Sequence, residues 1–425
     1  MHELTMTTPA LRTWARAHAA GGDVVAGPDR RNSITSKLLR FRWNDALTVA
    51  VGADADGKTR INAVLDAVAL FLNTPESDGD TVHLILGTGP DGAHDPAVRE
   101  HLGAIGTLVS ALGGGPTVRV WTASPGHAPI PLPCAPSEFT TSTPARWAAM
   151  LMLAATTPVT GMAAALTEAM TNRPSFALYP KLSSLKSAYP WQMRLDGLEI
   201  GRAGPGAATL ALNSRDVTKP NEPRTTWQRI AGSEPLHFTS ERLDDLVSVV
   251  DELIASWTSA DTPGAVLGHG QAEHALEAHI LSGRLALQLD DSPLLPAVPF
   301  RSGTLAAAQF PTLWGNVTRP ARYLDALLAD RDRRPWAVEL KDQDAGGGHG
   351  AYLRHGIGQA VLYRHYIRSA DALDPWFDHI ALDRTECGAA LAFPIAAGST
   401  AGTIARLRNL AELFDVKVIE FQRPG

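Results

Sequence analysis

The sequence predicts an α/β protein, and two patterns along the chain support this fold class. Between residues 46 and 124, apolar runs of strand length alternate with longer helical patterns, in the order ALTVAVGAD, INAVLDAVALFLN, TVHLILGTG, AVREHLGAIGTLVSALGGG and TVRVWTAS. This alternation favours a parallel sheet with helical crossovers. Nearer the C-terminus, the apolar runs RYLDALLA and PWAVELK flank the polar segment DRDRRP, which is the pattern of a β-hairpin.

Four segments are expected along the 425 residues. The first, residues 1–40, has little periodicity and is predicted to be an irregular arm. A Rossmann-like α/β domain is predicted for residues 41–170, and a small β-rich part with Gly turns plus a linking helix for residues 171–268. Thr239 is the predicted N-cap of that helix, and SADTPGAVLGHG after it is typical of a linker. The fourth segment, residues 269–425, contains the hairpin.

Composition and charge restrict the class of protein. With 44% hydrophobic and 19% charged residues the chain has an ordinary globular composition, and its net charge of −6 argues against a protein that coats nucleic acid non-specifically. The two distant cysteines, Cys134 and Cys387, fit a reducing cytosol and exclude a zinc site built from cysteines. No signal-peptide core is expected. The uncharged run Trp147–Thr167 contains Pro158 and Gly161, so it predicts two packed helices around a turn rather than a membrane span.

The hairpin carries three charged side chains within two otherwise apolar strands. If its turn is centred near Asp332, then Asp325 and Glu339 lie seven residues to either side and face each other across the ladder. Cross-strand partners have Cβ atoms about 4.5–5.5 Å apart. Glu339 and Lys341 are two residues apart, so they point to the same face of the sheet. The hairpin is therefore expected to gather two carboxylates and one amine at one place.

This group of charges suggests a metal site. Two ionised carboxylates at such a distance repel each other unless a positive charge lies between them. Mg²⁺ or Mn²⁺ would supply that charge and would keep coordination positions for water and phosphate. The lysine ammonium could then hold or activate the attacking water, or stabilise charge that develops on the phosphate. The alternative is a solvated hairpin with an ordinary surface pair of Asp and Lys, because so short a pattern often occurs by chance.

Two helical segments beside the hairpin carry further polar groups. In AYLRHGIGQAVLYRHYIRSA, which follows a Gly-rich loop, His355, Gln359 and Tyr363 are spaced four residues apart and share one helix face. Upstream, QAEHALEAHILSG predicts a short helix with Glu273 and Glu277 one turn apart. Each of these faces could also be ordinary solvated surface. The resulting order is a helical Glu, a strand Asp, a strand ExK and a helical QxxxY.

This order and spacing resemble the PD-(D/E)XK nuclease superfamily, in particular its branch with a QxxxY helix. The resemblance rests on Glu277, Asp325, Glu339-Leu340-Lys341 and Gln359-x-x-x-Tyr363, with AAAQFPTLW as the strand before the catalytic hairpin. It covers residues 270 to 425, a little over a third of the chain, and implies a restriction-endonuclease-like αβββαβ domain. The sequence departs from the family name in having Leu324 where the family often has Pro, and this position supplies no ligand.

The resemblance implies metal-dependent hydrolysis of phosphodiester bonds. The resemblance implies four metal ligands: Asp325, Glu339, the backbone carbonyl of Leu340, and Glu277. Glu277 would bind the metal directly or through a water molecule. Glu273 is the alternative helical acid. Lys341 would orient the nucleophilic water, and Gln359 and Tyr363 would position the phosphate backbone or the lysine. Eight arginines around the site would neutralise a few phosphates: Arg319, Arg322, Arg331, Arg333, Arg334, Arg354, Arg364 and Arg368.

Three other motifs are weighed against this interpretation. GTGPDG, residues 87 to 92, fits a dinucleotide fingerprint, but Pro90 removes a backbone donor and no acidic residue follows at the end of TVRVWTAS. HALEAH has its histidines five residues apart, so they do not share a helix face as a zinc protease would need. ADADGK, residues 53 to 58, resembles a calcium loop only in its acids, because no glutamate follows at the twelfth position.

Residues 1 to 240 identify no ligand. A Rossmann-like domain ahead of a PD-(D/E)XK domain resembles the layout of ligand-controlled nucleases in prokaryotic defence, and a recognition or dimerisation module would give the same pattern. We expect a cytoplasmic, Mg²⁺-dependent bacterial nuclease with DNA favoured over RNA, acting in defence or DNA repair, with a nucleotide activator and a homodimer as open options. Two alternatives stand beside it: a nucleic-acid- or partner-binding protein on a nuclease fold without turnover, and a nucleotide-binding α/β enzyme centred on the N-terminal glycines.

Overall fold

The computed structural model contains three β-sheets with helices packed around them. It describes residues 5–20, 24–26, 38–74, 79–92, 96–140, 142–182, 185–211, 230–232, 234–258, 269–298, 308–312, 322–342, 349–395 and 401–422. The helices in these ranges are α1 (Thr8–His18), α2 (Gly57–Leu72), α3 (Pro96–Ser110), α4 (Ser142–Thr156), α5 (Gly161–Ala169), α6 (Leu243–Thr258), α7 (His269–Leu281), α8 (His349–Ser369), α9 (Asp374–His379) and α10 (Ala401–Leu413).

The strands fall into three groups along the chain. The first sheet contains β1 (Val25–Ala26), β2 (Leu38–Trp43), β3 (Ala46–Val51), β4 (Thr81–Gly87), β5 (Thr117–Ala123) and β6 (Ile130–Pro131). The second contains β7 (Phe176–Pro180), β8 (Trp191–Leu195), β9 (Leu198–Ala203), β10 (Ala207–Leu210) and β11 (Leu236–Thr239). The third contains β12 (Leu287–Leu289), β13 (Ser292–Pro296), β14 (Ala308–Thr312), β15 (Arg322–Ala329), β16 (Pro335–Leu340), β17 (Gly388–Pro394) and β18 (Lys417–Phe421).

The first sheet confirms the alternation of strands and helices in the N-terminal part. Its strands follow chain order, and β3, β4 and β5 are parallel, with α2 and α3 as the connections. One face of the sheet, with Val49 and Leu84, packs into a hydrophobic cluster that includes Val64 of α2 and Leu108 of α3. The fold class is therefore α/β, as the sequence predicted.

The prediction of an irregular N-terminal arm was wrong for residues 8 to 18, which form helix α1. Pro9 stands in the first turn, where its missing N–H is not needed. Leu11 and Ala15, four residues apart, are buried against the other face of the first sheet, in a cluster with Phe41 and Ala50. An apolar stripe this short is a weak signal in the sequence, so contact with the sheet is what stabilises the helix.

The second sheet is an antiparallel meander of five strands, and it lies within the segment that was predicted to be rich in β-structure. Asp196 and Gly197 connect β8 to β9 with φ values of 42° and 81°. Positive φ at both positions is typical of the two-residue turns that match the twist of a hairpin. Thr239 is the N-cap of a short 3₁₀ turn, Ser240–Arg242, that leads into α6, but its side chain makes no capping hydrogen bond.

The Ala-rich run forms two helices, α4 and α5, as predicted. Within the described ranges, no single helix has the length and apolar character needed to cross a membrane. The pair of α4 and α5 meets the criterion by length and composition together, but it is bent by 67° at the break.

The third sheet contains the predicted hairpin. Strands β14, β15 and β16 are antiparallel neighbours, and β17 and β18 continue the sheet parallel to β16. Helix α8 connects β16 to β17, and α10 connects β17 to β18. The strand predicted from AAAQFPTLW is β14, which confirms that expectation over Ala308–Thr312.

The turn of the hairpin lies where the sequence predicted it. Oδ1 of Asp330 accepts hydrogen bonds from the backbone N–H groups of Asp332 and Arg334, at 3.0 and 2.9 Å. Such side-chain capping of a turn by aspartate is one reason that this residue is frequent in chain reversals. The ladder pairs Ala326 with Val338, so Asp325 and Glu339 are the next positions outward, as the predicted register requires.

Helix α8 packs between the third sheet and helices α2 and α3. Two of its glycines allow this close packing. A Cβ atom at Gly356 would lie 2.6 Å from Cδ1 of Leu391 on β17, and one at Gly358 would lie 2.9 Å from Oδ1 of Asn62 on α2. These contacts explain why a segment with two glycines forms a long helix.

One hydrophobic cluster joins the N-terminal and C-terminal parts. Its buried residues lie between Leu38 and Ala154 and again between Ala297 and Val416. The predicted domain boundaries stay predictions, but these two segments share a core. Residues 259–268 of the predicted linker lie outside the described residues.

Candidate active site

The two carboxylates and the lysine of the hairpin lie together at the end of β16. Oδ2 of Asp325 accepts the backbone N–H of Leu340 at 2.8 Å. Nζ of Lys341 donates to Oε1 of Glu339 and, at 3.0 Å, to the carbonyl oxygen of Leu340. The charge of Glu339 acts on Asp325, which indicates that the two carboxyl groups are close together. The structure thus brings together the three groups that the sequence predicted to meet.

Two of these groups are buried, and Asp325 is half-buried. Glu339 is 1% exposed and Lys341 is 4% exposed. The alternative of an ordinary solvated hairpin is therefore wrong. Charged side chains are almost never this deeply buried unless they are paired or have a function.

Burial and mutual repulsion change the pKa values of the carboxyl groups. Burial raises the pKa of Asp325 well above its usual value, and the charge of Glu339 raises it further, against the opposing effect of Lys341. Burial also raises the pKa of Glu339, although the ammonium of Lys341 opposes the change. Carboxyl groups with raised pKa values beside a specific charge partner are common at functional sites.

Lys341 is held as a cation. Burial by itself would lower the pKa of Lys341, but the charges of Glu339, Glu273 and Asp325 outweigh burial, and its pKa is raised. In this arrangement the amine is a hydrogen-bond donor and a positive charge.

Both acids of helix α7 reach the site. Oε1 of Glu273 lies 3.5 Å from Nζ of Lys341 and also accepts the hydroxyl of Tyr352. Glu277 is 2% exposed, and its Oε2 is 3.2 Å from Nδ1 of His274. The charge of Glu277 also acts on Asp325. Both Glu273 and Glu277 are therefore close enough to act as the helical acid, and they differ in the side chains that each one contacts.

Three of the predicted site residues each have a buried oxygen that accepts no hydrogen bond from a nitrogen or hydroxyl donor in the part of the chain that the structure describes. These oxygens are Oε2 of Glu339, Oε1 of Glu277 and Oε1 of Gln359. Unsatisfied buried oxygens of this kind are expected where an ion, water or ligand normally binds. Within the same part of the chain, no group of three or more His, Cys, Asp or Glu side chains has the geometry of a metal site. Mg²⁺ commonly takes only one or two carboxylates plus waters, so the pair of Asp325 and Glu339 is a sufficient donor set.

The predicted polar face of helix α8 is buried and divides between two neighbours. Tyr363 donates its hydroxyl to the carbonyl oxygen of Tyr323 at 3.0 Å, two residues before Asp325 on β15. Nε2 of His355 lies 3.6 Å from Oδ2 of Asp66 on α2, away from the hairpin. The suggestion that this face is solvated surface is wrong.

Tyr352 is a site residue that the sequence analysis missed. Its ring centroid is 5.2 Å from Nζ of Lys341, and its hydroxyl donates to Glu273. A signal was present, because Tyr352 precedes Gln359 by seven residues, or about two helical turns.

Five of the eight arginines that were predicted to neutralise phosphates have partners within the chain. Arg333 donates to the carbonyl oxygen of Ile380, Arg334 to that of Glu386 and Arg368 to that of Cys387. Two others form ion pairs with Asp66 and Asp415: Arg354 and Arg364. Arg331 is exposed at the turn. Arg319 and the side chain of Arg322 lie outside the described residues.

The segment ADADGK belongs to a longer pattern, GxxxxGKT over residues 52 to 59, that is typical of phosphate-binding loops. It lies between β3 and α2, as such loops do. However, Asp56 accepts the backbone N–H of Thr59 at 2.8 Å and its hydroxyl at 3.0 Å. Asp54 accepts both the backbone N–H and the hydroxyl of Thr8. Because the chain's own carboxylates cap this helix, we assign no phosphate site to the loop.

The histidines of HALEAH have separate partners, which agrees with the sequence argument against a zinc protease. His274 pairs with Glu277, whereas Nε2 of His279 lies 3.4 Å from Oδ1 of Asp196.

Comparison of the chain with protein-family models, with curated proteins and with solved structures finds no match.

Proposed function

We propose that this protein is a metal-dependent nuclease that hydrolyses phosphodiester bonds, with DNA favoured over RNA as the substrate. The observation that carries the proposal is the group formed by the half-buried Asp325 with the buried Glu339 and Lys341. Two adjacent carboxyl groups with raised pKa values and a fixed cation are costly to keep in a protein interior, and such a cost is typical of a catalytic site.

The order of elements supports the proposal. Helix α7, strands β14 to β16, helix α8 and strand β17 occur in the αβββαβ order that the resemblance to PD-(D/E)XK nucleases implies, with the additional strands β12 and β13 after α7 and the short helix α9 before β17. The two carboxylates come from neighbouring strands of this unit, and the QxxxY pair comes from its second helix.

Mg²⁺ is the metal that fits the donors. Asp325 and Glu339 would hold it, with Glu277 nearby, and the carbonyl of Leu340 would have to exchange its hydrogen bond with Lys341. The bound ion would polarise the phosphate and a water molecule. Sites of this type usually keep several waters on the metal for the phosphate to displace.

The chain's own residues have separate roles in this proposal. Lys341, as a cation, donates hydrogen bonds to the attacking water or to a phosphate oxygen on which negative charge develops. Tyr363 holds the backbone of β15 next to Asp325 through its hydrogen bond to Tyr323. Gln359 supplies a buried amide oxygen on the same helix face.

The first test is cleavage by the wild type and two variants, Glu339→Gln and Lys341→Met, which keep the side-chain volume and remove the charge. Substrates are circular and linear duplex DNA, single-stranded DNA and RNA, each with Mg²⁺, Mn²⁺ or EDTA. We expect metal-dependent cleavage by the wild type and a reduction of about 10²–10³-fold in each variant, as for other groups that stabilise charge in a transition state. Exposed residues of the same types give matched controls, Glu412→Gln and Lys417→Met.

Undiminished cleavage in both site variants would remove the proposal, as would cleavage that EDTA does not affect. Binding of nucleic acid by the wild type without cleavage would favour the alternative of a binding protein on a nuclease fold.

A further inference from the structure

We propose that the two acids of helix α7 have different roles: Glu273, together with Tyr352, positions the ammonium group of Lys341, and Glu277 serves the side of the site where Asp325 would hold the metal. The inference rests on the proposed nuclease function for its effect on turnover, but the division of roles has a test of its own.

Glu273 contacts Lys341 and Tyr352. Its Oε1 lies 3.5 Å from Nζ of Lys341, and the same oxygen accepts the hydroxyl of Tyr352. One carboxylate oxygen is thus shared by an ammonium and a hydroxyl donor. An oxygen with two donors is poorly suited to binding a cation as well.

Tyr352 holds the lysine in two ways. Its hydroxyl orients Glu273, and its ring centroid lies 5.2 Å from Nζ of Lys341, within the range of a cation–π contact. Gly356, one turn further along α8, lets the helix approach the lysine stem, because a Cβ there would lie 3.2 Å from Cγ of Lys341. The flexible lysine side chain is therefore fixed along its stem and at its charged end.

Glu277 has a different environment. Its Oε2 pairs with His274, and its Oε1 is buried without a donor in the described part of the chain. Its charge acts on Asp325. The charge of Glu273 acts on Lys341 and Glu339, and it is also coupled to Asp325, so the separation of the two acids rests on their contacts. A free, buried carboxylate oxygen on the Asp325 side is available to a metal ion or to a water bound to it.

This division of roles explains how one carboxylate, Glu339, can serve both the lysine and a metal ion. Lys341 and a divalent cation both compete for Glu339, because each is attracted to the same carboxylate. The ammonium binds Oε1 of Glu339, and Glu273 and Tyr352 contact it from the side of α7 and α8. Oε2 of Glu339 therefore stays available to the metal.

The test compares Mn²⁺ affinity, measured by titration calorimetry, with kcat and KM for DNA cleavage in three variants of the full chain: Glu273→Gln, Tyr352→Phe and Glu277→Gln. We expect Glu277→Gln to weaken Mn²⁺ binding by about 10- to 100-fold, as is usual for groups that support a metal. Glu273→Gln and Tyr352→Phe should leave Mn²⁺ affinity at the wild-type value and lower kcat by about 10- to 100-fold with KM unchanged. Glu412→Gln is the control, and Glu277→Asp replaces Glu277→Gln if the latter does not fold.

Two further variants separate the contacts of Tyr352. Tyr352→Phe keeps the ring and removes the hydroxyl, so Tyr352→Leu should lower kcat further. The double variant Glu273→Gln/Tyr352→Phe should have nearly the kcat of the worse single variant, because the two residues act on Lys341 as one unit.

Equal loss of Mn²⁺ affinity in Glu273→Gln and Glu277→Gln would overturn the division of roles, and so would the absence of Mn²⁺ binding in the wild type. Independent, additive effects of Glu273→Gln and Tyr352→Phe on kcat would overturn the pairing. If the wild type binds Mn²⁺ with the expected split between variants but cleaves nothing, the division of roles stands and the nuclease proposal fails.

Discussion

At the scale of single residues, the carboxyl group of Asp325 is kept at a cost to the folded state. Its pKa is raised by burial and by the charge of Glu339. A group whose pKa is higher in the folded than in the unfolded state stabilises the fold below its unfolded pKa, and this contribution is lost as the pH rises through the folded pKa. Near neutral pH, the ionised form of Asp325 is therefore unfavourable for folding.

Asp325→Asn should make the protein more stable near neutral pH while it abolishes the proposed cleavage. Asparagine keeps an acceptor for the backbone N–H of Leu340, and its amide can donate to the unsatisfied oxygen of Glu339. We expect a gain of about 0.5–2 kcal/mol in the free energy of unfolding, typical of stabilising substitutions at functional sites. Urea unfolding from pH 4 to 8 measures it, and the gain should shrink toward acid pH. A less stable variant at pH 7 would contradict the argument.

At the scale of elements, a buried ion pair joins α2 to α8. Oδ1 of Asp66 accepts Nε and Nη2 of Arg354 at 3.0 and 2.7 Å, and Asp66 is 1% exposed. Burial by itself would raise the pKa of Asp66, but Arg354 and His355 outweigh it, and the pKa is lowered. Because α8 also carries Tyr352, Gln359 and Tyr363, this pair fixes the helix that supports the candidate site.

Two arginines of α8 provide a matched comparison. Asp66→Asn would leave the buried charge of Arg354 uncompensated and should cost about 3–5 kcal/mol of stability. Asp415→Asn should cost no more than about 1 kcal/mol, because the Asp415 side chain is 79% exposed and Arg364 keeps the carbonyl oxygen of Phe414 as a partner.

The loss of stability in Asp66→Asn should also depend on pH, and the direction follows from the lowered pKa of Asp66. A lowered pKa in the folded state stabilises the protein above the unfolded pKa of Asp66, and this contribution is lost as the pH falls through the folded pKa. The stability deficit of Asp66→Asn relative to the wild type should therefore narrow in acid. Chemical denaturation at several pH values measures both effects, and equal losses in the two variants would refute the role given to Asp66.

At the scale of the whole molecule, the C-terminal segment depends on the N-terminal one. Helix α8 lies between the third sheet and helices α2 and α3, and the largest hydrophobic cluster contains residues of both segments. A fragment of residues 269–425 would expose the apolar surface that α2 and α3 cover.

We expect this fragment to lack a cooperative thermal transition, whereas the full chain unfolds cooperatively. Calorimetry and near-ultraviolet circular dichroism of the two proteins measure the difference. Co-expression with residues 1–258 is the control, because α2 and α3 would again cover the apolar surface of the fragment. The cooperative thermal transition should then be restored. A fragment that unfolds cooperatively at the temperature of the full chain would show that the shared core is unimportant for stability.

Local pattern was enough to predict several features. The alternation of strands and helices, the hairpin with its turn at Asp332, and the meeting of Asp325, Glu339 and Lys341 all depend on residues close together in sequence. Periodicity and cross-strand register act over this range, so the identity and order of the residues decide them.

Long-range packing decided the rest. Tyr352 meets Glu273 across 79 positions and Arg354 meets Asp66 across 288, so no local period could reveal either pair. The same long-range packing places helix α1 against the first sheet. It also pairs most of the arginines around the site with backbone oxygens or aspartates. Which groups surround a side chain depends on how distant segments pack, and this environment determines its charge state and its role in the site.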